Sequence, residues 1–170
     1  MSTDLNRQVE IRPAVPADAE VLSRIYNHYV SHTHVTFEED PVTPGELARR
    51  IEGVVDAGFP WVVAECIGKL VGYAYACPWR PRKAYRFSAE ATVYIDPAFT
   101  GRGTGSQLYS ALLPALRTRG LHGVVGVIAL PNDASVRLHE RVGFKKVAHL
   151  EEIGFKFGRW IDVGYWELKL

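Results

Sequence analysis

From Val93 to Ser106 the chain reads V-Y-I-D-P-A-F-T-G-R-G-T-G-S, and this stretch restricts the possible folds more than any other. An apolar, β-branched run stops at Asp96-Pro97, and glycines follow at 101, 103 and 105. Leu108, Leu112 and Leu116 then recur at helical spacing. Strand, glycine loop and helix together aim backbone N–H groups and a helix N-terminus at one point. Such a point favours a phosphate or another anion. A plain tight turn before a helix uses glycines in the same way, so the loop alone leaves both readings open.

Two nucleotide loops fail on this stretch. A P-loop needs a lysine after its last glycine, and none follows here. A dinucleotide fingerprint needs a third glycine, but Ser106 stands there when counting from Gly101, and Leu108 when counting from Gly103.

The rest of the chain reads as one mixed α/β unit over residues 1–170. Val9–Arg12 alternates as a short strand. Asp18–His32 carries Val21, Leu22, Ile25, Tyr26 and Tyr29 at helical spacing. Pro44 opens a second helix that Gly58 closes. Phe59–Ile67 and Leu70–Pro78 read as strands around a Gly68-Lys69 turn. Tyr85–Asp96 reads as one long strand, and Pro114 is expected to kink or shorten the helix after the glycine loop. Gly123–Leu130 is apolar on both parities, as in a strand buried on both faces. Asn132 then caps a short helix that ends before Gly143, and Phe144–Leu170 is strand-like with a break near Gly158.

Charge narrows the partners. The 20 basic and 19 acidic residues leave a net charge of +1, which provides no electrostatic case for nucleic acid or an anionic membrane. The longest apolar run is too short to cross a bilayer, and the polar opening M-S-T-D-L-N-R-Q predicts no signal segment. Cys66 and Cys77 have no metal-type spacing and read as reduced thiols of a cytoplasmic protein. His28, His32 and His34 lack a further ligand at characteristic spacing, so no metal is expected.

After the second buried strand comes Asn132-x-x-Ser135-x-x-x-His139-x-x-x-Gly143-Phe144. Together with the glycine loop it resembles the GNAT superfamily of N-acetyltransferases. Their acyl-CoA loop reads (Q/R)-x-x-G-x-(G/A), and their fourth helix reads N-x-x-(A/S)-x-x-x-Y-x-x-x-G-F. Here Thr100 replaces the usual Gln or Arg, and His139 replaces the usual tyrosine. The resemblance implies an α/β (mixed α+β) GNAT fold, a central twisted mixed sheet of about seven strands flanked by about four helices. I-Y-N-H-Y-V, T-F-E, A-Y-R-F-S-A-E-A-T-V-Y-I, L-P-N-D-A-S-V-R-L-H-E and G-F-K-F-G-R-W-I-D-V look like the phosphinothricin and methionine sulfoximine acetyltransferase branch.

That branch implies acetyl-CoA as cosubstrate and a small amino-acid analogue as acceptor, chemistry that can confer herbicide or antibiotic resistance. Glu90 would take the ammonium proton as general base. His139, with an ordinary pKa near neutrality, would act as a second base or as the acid to the leaving thiolate. Val93, Tyr94 and Ile95 would face the thioester and pantetheine. Gly101, Arg102, Gly103, Thr104, Gly105 and Ser106 would cradle the pyrophosphate, and Asn132 would touch the cofactor from the fifth strand. Phe37, Glu38, Arg82, Lys83, Ala84 and Tyr85 would bind the acceptor. Lys156, Arg159 and Trp160 would approach the site of a partner subunit in a homodimer. A peptide or protein N-acetyltransferase and a non-catalytic acyl-CoA-binding regulatory module are the competing readings.

Overall fold

Seven strands, β1 (Val9–Pro13), β2 (Trp61–Cys66), β3 (Lys69–Pro78), β4 (Ser88–Ile95), β5 (Gly123–Ala129), β6 (Lys145–Lys156) and β7 (Arg159–Lys169), form one sheet in the order β1-β2-β3-β4-β5-β7-β6. The computed structural model describes residues 9–170. The polar opening Met1–Gln8, and the expectation attached to it, lies outside the described residues. Every strand pair is antiparallel except β4 with β5.

Alternation along the central strands builds a core on each face. Trp61, Val63 and Tyr73 turn toward helices α1 (Ala19–His32) and α2 (Pro44–Asp56), meeting Leu22, Ile25, Leu47 and Ile51. Ala64, Ala74, Ala76, Ala89 and Ala91 turn the other way. There they meet Leu108, Leu112 and Leu116 of α3 (Thr104–Thr118), all fully buried. Each such leucine contributes about 1.5–3 kcal/mol by leaving water. A fourth helix, α4 (Asp133–Arg141), starts at Asn132, whose side chain accepts from the Ser135 N–H at 3.1 Å. Thr43 caps α2 in the same way, accepting from Glu46 N–H at 3.1 Å with Pro44 behind it.

Four local expectations need correction. The β2–β3 turn is Ile67-Gly68 and not Gly68-Lys69, since Cys66 pairs with Lys69 and both turn residues have positive φ, 50° and 72°. This is the left-handed pair that a tight hairpin requires, and the exposed Ile67 accepts it. The long strand from Tyr85 begins only at Ser88, because Lys83–Tyr85 closes a 3₁₀ turn. Pro114 does not shorten α3; it lies on the exposed side, where water can satisfy the carbonyl that loses its donor. β5 is not buried on both faces throughout, because Val127 looks into the cavity described below.

Candidate active site

The two parallel strands part company early. β4 and β5 pair at Ser88↔Gly123, Ala89↔Val124 and Glu90↔Val125. Beyond Glu90, β4 stays paired with β3 as far as Ile95, and β5 stays with β7 as far as Ala129. Two cavities meet at this split. The larger, about 450 Å³, lies over the glycine loop, and the smaller, about 180 Å³, lies over Glu90. Val35, Val93, Tyr94, Asn132 and Ser135 line both.

The larger cavity gathers hydrogen-bond donors around the glycine loop. Asp96 accepts from Ala98 N–H at 2.9 Å and starts the turn that delivers the chain to the glycines. Gly101 and Gly103 take φ values of 74° and 82°, which a side chain would strain. Gly103 is the N-cap of α3 and supplies no side-chain cap, and the helix ladder begins with Gln107 N–H to Gly103 O. The first-turn N–H groups of Thr104, Gly105 and Ser106 therefore have no helical acceptor. Ser106 Oγ is buried, has no hydrogen-bond partner among the described residues, and lines the same cavity. A phosphate-bearing ligand would satisfy these donors together. Gly105 serves packing as well, since a Cβ there would lie 2.7 Å from Leu138 on α4.

The cations differ from expectation. Arg102 stacks on Phe99 at 4.9 Å and does not line the cavity. Arg137 and Arg141 do. The sequence carried a signal for them, because four residues apart they share one face of α4. Tyr29 also lines the cavity, and its hydroxyl donates to Ile95 O at 2.5 Å.

Glu90 lines the smaller cavity with Thr36, Phe37, Val127, His139 and Val163. The β3–β4 pairing has no register shift, so Glu90 and Val93 lie on opposite faces, as alternation requires. Burial raises the Glu90 carboxyl above its usual range, and the charge of Arg80 opposes that rise.

His139 is held at both ring nitrogens. Nδ1 lies 2.8 Å from the Ser135 carbonyl, so it carries the proton and donates. That leaves Nε2 to accept from the Tyr109 hydroxyl at 2.9 Å. Burial lowers the His139 pKa, so the ring is neutral here. Ser135 Oγ stands 3.3 Å from Nδ1. The ring lies against β5, where a Cβ on Gly126 would come within 2.6 Å of it.

Of the acceptor residues read from sequence, Phe37 lines the smaller cavity and Glu38 does not. The Glu38 carboxylate is taken by Arg50, at 2.6 and 3.2 Å, and accepts from the Tyr26 hydroxyl at 3.0 Å. Arg82, Lys83, Ala84 and Tyr85 form an exposed turn and line neither cavity. Lys156 points into its own chain, donating to Val30 O and Thr36 O at 2.7 and 2.8 Å. Its burial, unusual for lysine, replaces the expected approach to a partner. His28 and His32 stack at 5.1 Å, and no metal-holding group of His, Cys, Asp or Glu occurs among the described residues.

Comparison with known proteins agrees with this architecture. Residues 11–164 match the family described as the acetyltransferase (GNAT) domain. A phosphinothricin N-acetyltransferase of Streptomyces viridochromogenes is 45% identical over 95% of this chain and 87% of its own. An L-methionine sulfoximine/L-methionine sulfone acetyltransferase of Salmonella typhimurium is 37% identical over 94% of each chain. The crystal structure of a GNAT superfamily phosphinothricin acetyltransferase from Sinorhizobium meliloti, in complex with acetyl-CoA, superposes with a TM-score of 0.92. It is 35% identical and covers 96% of this chain and 89% of its own. A split between two parallel strands, a glycine loop at a helix N-terminus and these matches lead to one assignment: the chain belongs to the GNAT acetyltransferase family.

Proposed function

We propose that the chain moves an acetyl group from acetyl-CoA to the α-amine of small amino-acid analogues such as phosphinothricin, methionine sulfoximine and methionine sulfone. The observation that carries this reading is the strand split, which opens an anion cradle on one side and the Glu90 cavity on the other, joined at Val93 and Tyr94. Acetyl-CoA, when bound, supplies an acyl group already activated as a thioester. Gly101, Gly103, Thr104, Gly105 and Ser106 would hold its pyrophosphate, with Arg137 and Arg141 adding charge and Asn132 closing the far wall.

Glu90 takes the proton from the acceptor's ammonium group, directly or through a water. Its raised pKa makes it a stronger base than an exposed glutamate. The backbone of Val93–Ile95, unpaired with β5, faces the carbonyl where negative charge develops. Ser135 lines both cavities, and its hydroxyl would hydrogen-bond the departing thiolate, which takes the second proton that the attacking nitrogen loses as the amide forms. Arg80, whose charge reaches Glu90, stacks on Trp79 at 4.2 Å and lines neither cavity.

The chain works as a single catalytic unit in the cytoplasm; Cys66 and Cys77 are not joined by a disulfide. It works as a homodimer through the hairpin of β6 and β7, where Ile153, Phe155, Phe157 and Trp160 are each more than half exposed, 53% to 61%. Sedimentation of the purified chain checks this: a monomer at micromolar concentration would remove the dimer.

The activity is tested by mixing the protein with acetyl-CoA and phosphinothricin, methionine sulfoximine, methionine sulfone, glutamate or a peptide, and following free thiol. Turnover is expected with at least one of the first three. Turnover with the peptide alone would replace this reading.

A further inference from the structure

β6 is exposed at every position from Lys145 to Ile153, and then two residues are buried, Gly154 and Lys156. They are two apart on one strand and so share a face. Both touch the segment that joins α1 to α2. Lys156 Nζ donates to Val30 O, in the last turn of α1, at 2.7 Å. The same ammonium donates to Thr36 O, in the wall of the Glu90 cavity, at 2.8 Å. The aromatic ring of Phe37, the next wall residue, fills the place of a side chain at 154; a Cβ there would lie 2.2 Å from Phe37 Cζ. Gly154 is outside the left-handed region, so the ring and not the backbone demands glycine.

We infer that Gly154 and Lys156 form a latch that fixes the Thr36–Phe37 wall and thereby sets how long an acceptor side chain the Glu90 cavity takes. The buried ammonium satisfies two carbonyls at once, one of them at a helix C-terminus, where a cation is favoured. Glu38 and Glu39 add longer-range attraction. The wall has no strand or helix of its own over residues 33–43, so its position depends on such side-chain ties. Lys156 is a positioning residue, acting through Thr36 and Phe37.

The specificity role rests on the acetyl-transfer reading; the latch itself does not. Hydrogen–deuterium exchange on the full chain reads the latch directly. Lys156→Met is expected to speed exchange of amides 33–38 about tenfold or more, with α3 unchanged. Unchanged exchange in that segment would overturn the latch.

Kinetics read the specificity. Gly154→Ala drives Phe37 into the cavity and is expected to lower kcat/KM for methionine sulfone about tenfold. The loss should be smaller for S-methylcysteine sulfone, one methylene shorter, and the acetyl-CoA KM should hold within about twofold. Adding Phe37→Leu to Gly154→Ala should restore much of the loss. Equal losses for both substrates, or a parallel rise in the acetyl-CoA KM, would overturn the specificity role. If the wild type turns over no amino-acid analogue, the acetyl-transfer reading falls with that role, and the exchange result still decides the latch. Should Lys156→Met fail to fold, Gly154→Ala carries both measurements.

Discussion

The Tyr109 hydroxyl donates to Nε2 of His139 across 2.9 Å, which occupies the one imidazole lone pair available to accept a proton. With Nδ1 donating to Ser135, the ring is a neutral connector between α3 and the cavity wall. Its pKa is lowered by burial, so it is expected to stay neutral at pH values where a free histidine, near 6.5, is half charged. An unfolded chain takes that proton and the fold does not, so acidification through that range costs stability. Tyr109→Phe removes the donor and should raise the titration midpoint seen by NMR. A wild-type ring titrating at or above the ordinary value would contradict the assignment of its tautomer and partners.

Glu90 is expected to set the acid side of the pH profile. Its carboxyl is held above the usual range, and only the ionised form can accept a proton. The kcat/KM of the wild type should therefore rise with pH through a value above that of an exposed glutamate. Arg80 lowers the Glu90 pKa, so Arg80→Gln should move this limb to higher pH. A limb that stayed in place would separate Arg80 from Glu90.

Arg137 and Arg141 are the cations that line the larger cavity. Arg137→Ala and Arg141→Ala should each raise the acetyl-CoA KM about five- to tenfold at low salt, with kcat little changed. The difference from wild type should shrink as salt screens the charges. Arg102→Ala, removing a guanidinium engaged with Phe99, should have a smaller effect. The reverse order would restore the loop arginine as the phosphate contact.

Much of the architecture could be read from residue order because it depends on local chemistry. Gly101 and Gly103 do sit at positive φ, Asn132 does cap its helix, and Glu90 does lie opposite Val93. The residues that the structure places away from both cavities are those whose surroundings depend on distant parts of the chain. Glu38 is next to Phe37 in sequence, but Arg50 on α2 claims its carboxylate. Lys156 reads as a tail cation, but two carbonyls more than a hundred residues away bury it. Arg82 and Lys83 are expected from the branch resemblance to bind the acceptor, and the turn that carries them is exposed in the single chain. Arg137 and Arg141 were visible as a pair on one helix face, but which way that face turned depended on Gly105 packing against Leu138.

The central claim is that the cavity over Glu90 and the cavity over the glycine loop divide the work, one taking the acceptor's proton and the other holding the acetyl donor. Glu90→Gln separates them, because the amide keeps nearly the same shape and cannot act as the base. The direct measurement is the single-turnover acetyl-transfer rate of this variant, alongside its acetyl-CoA Kd by calorimetry on the same preparation. The expected result is a rate lower by about 10²–10⁴-fold with Kd within about twofold of wild type. A variant that kept the wild-type rate, or lost acetyl-CoA binding together with rate, would contradict the division.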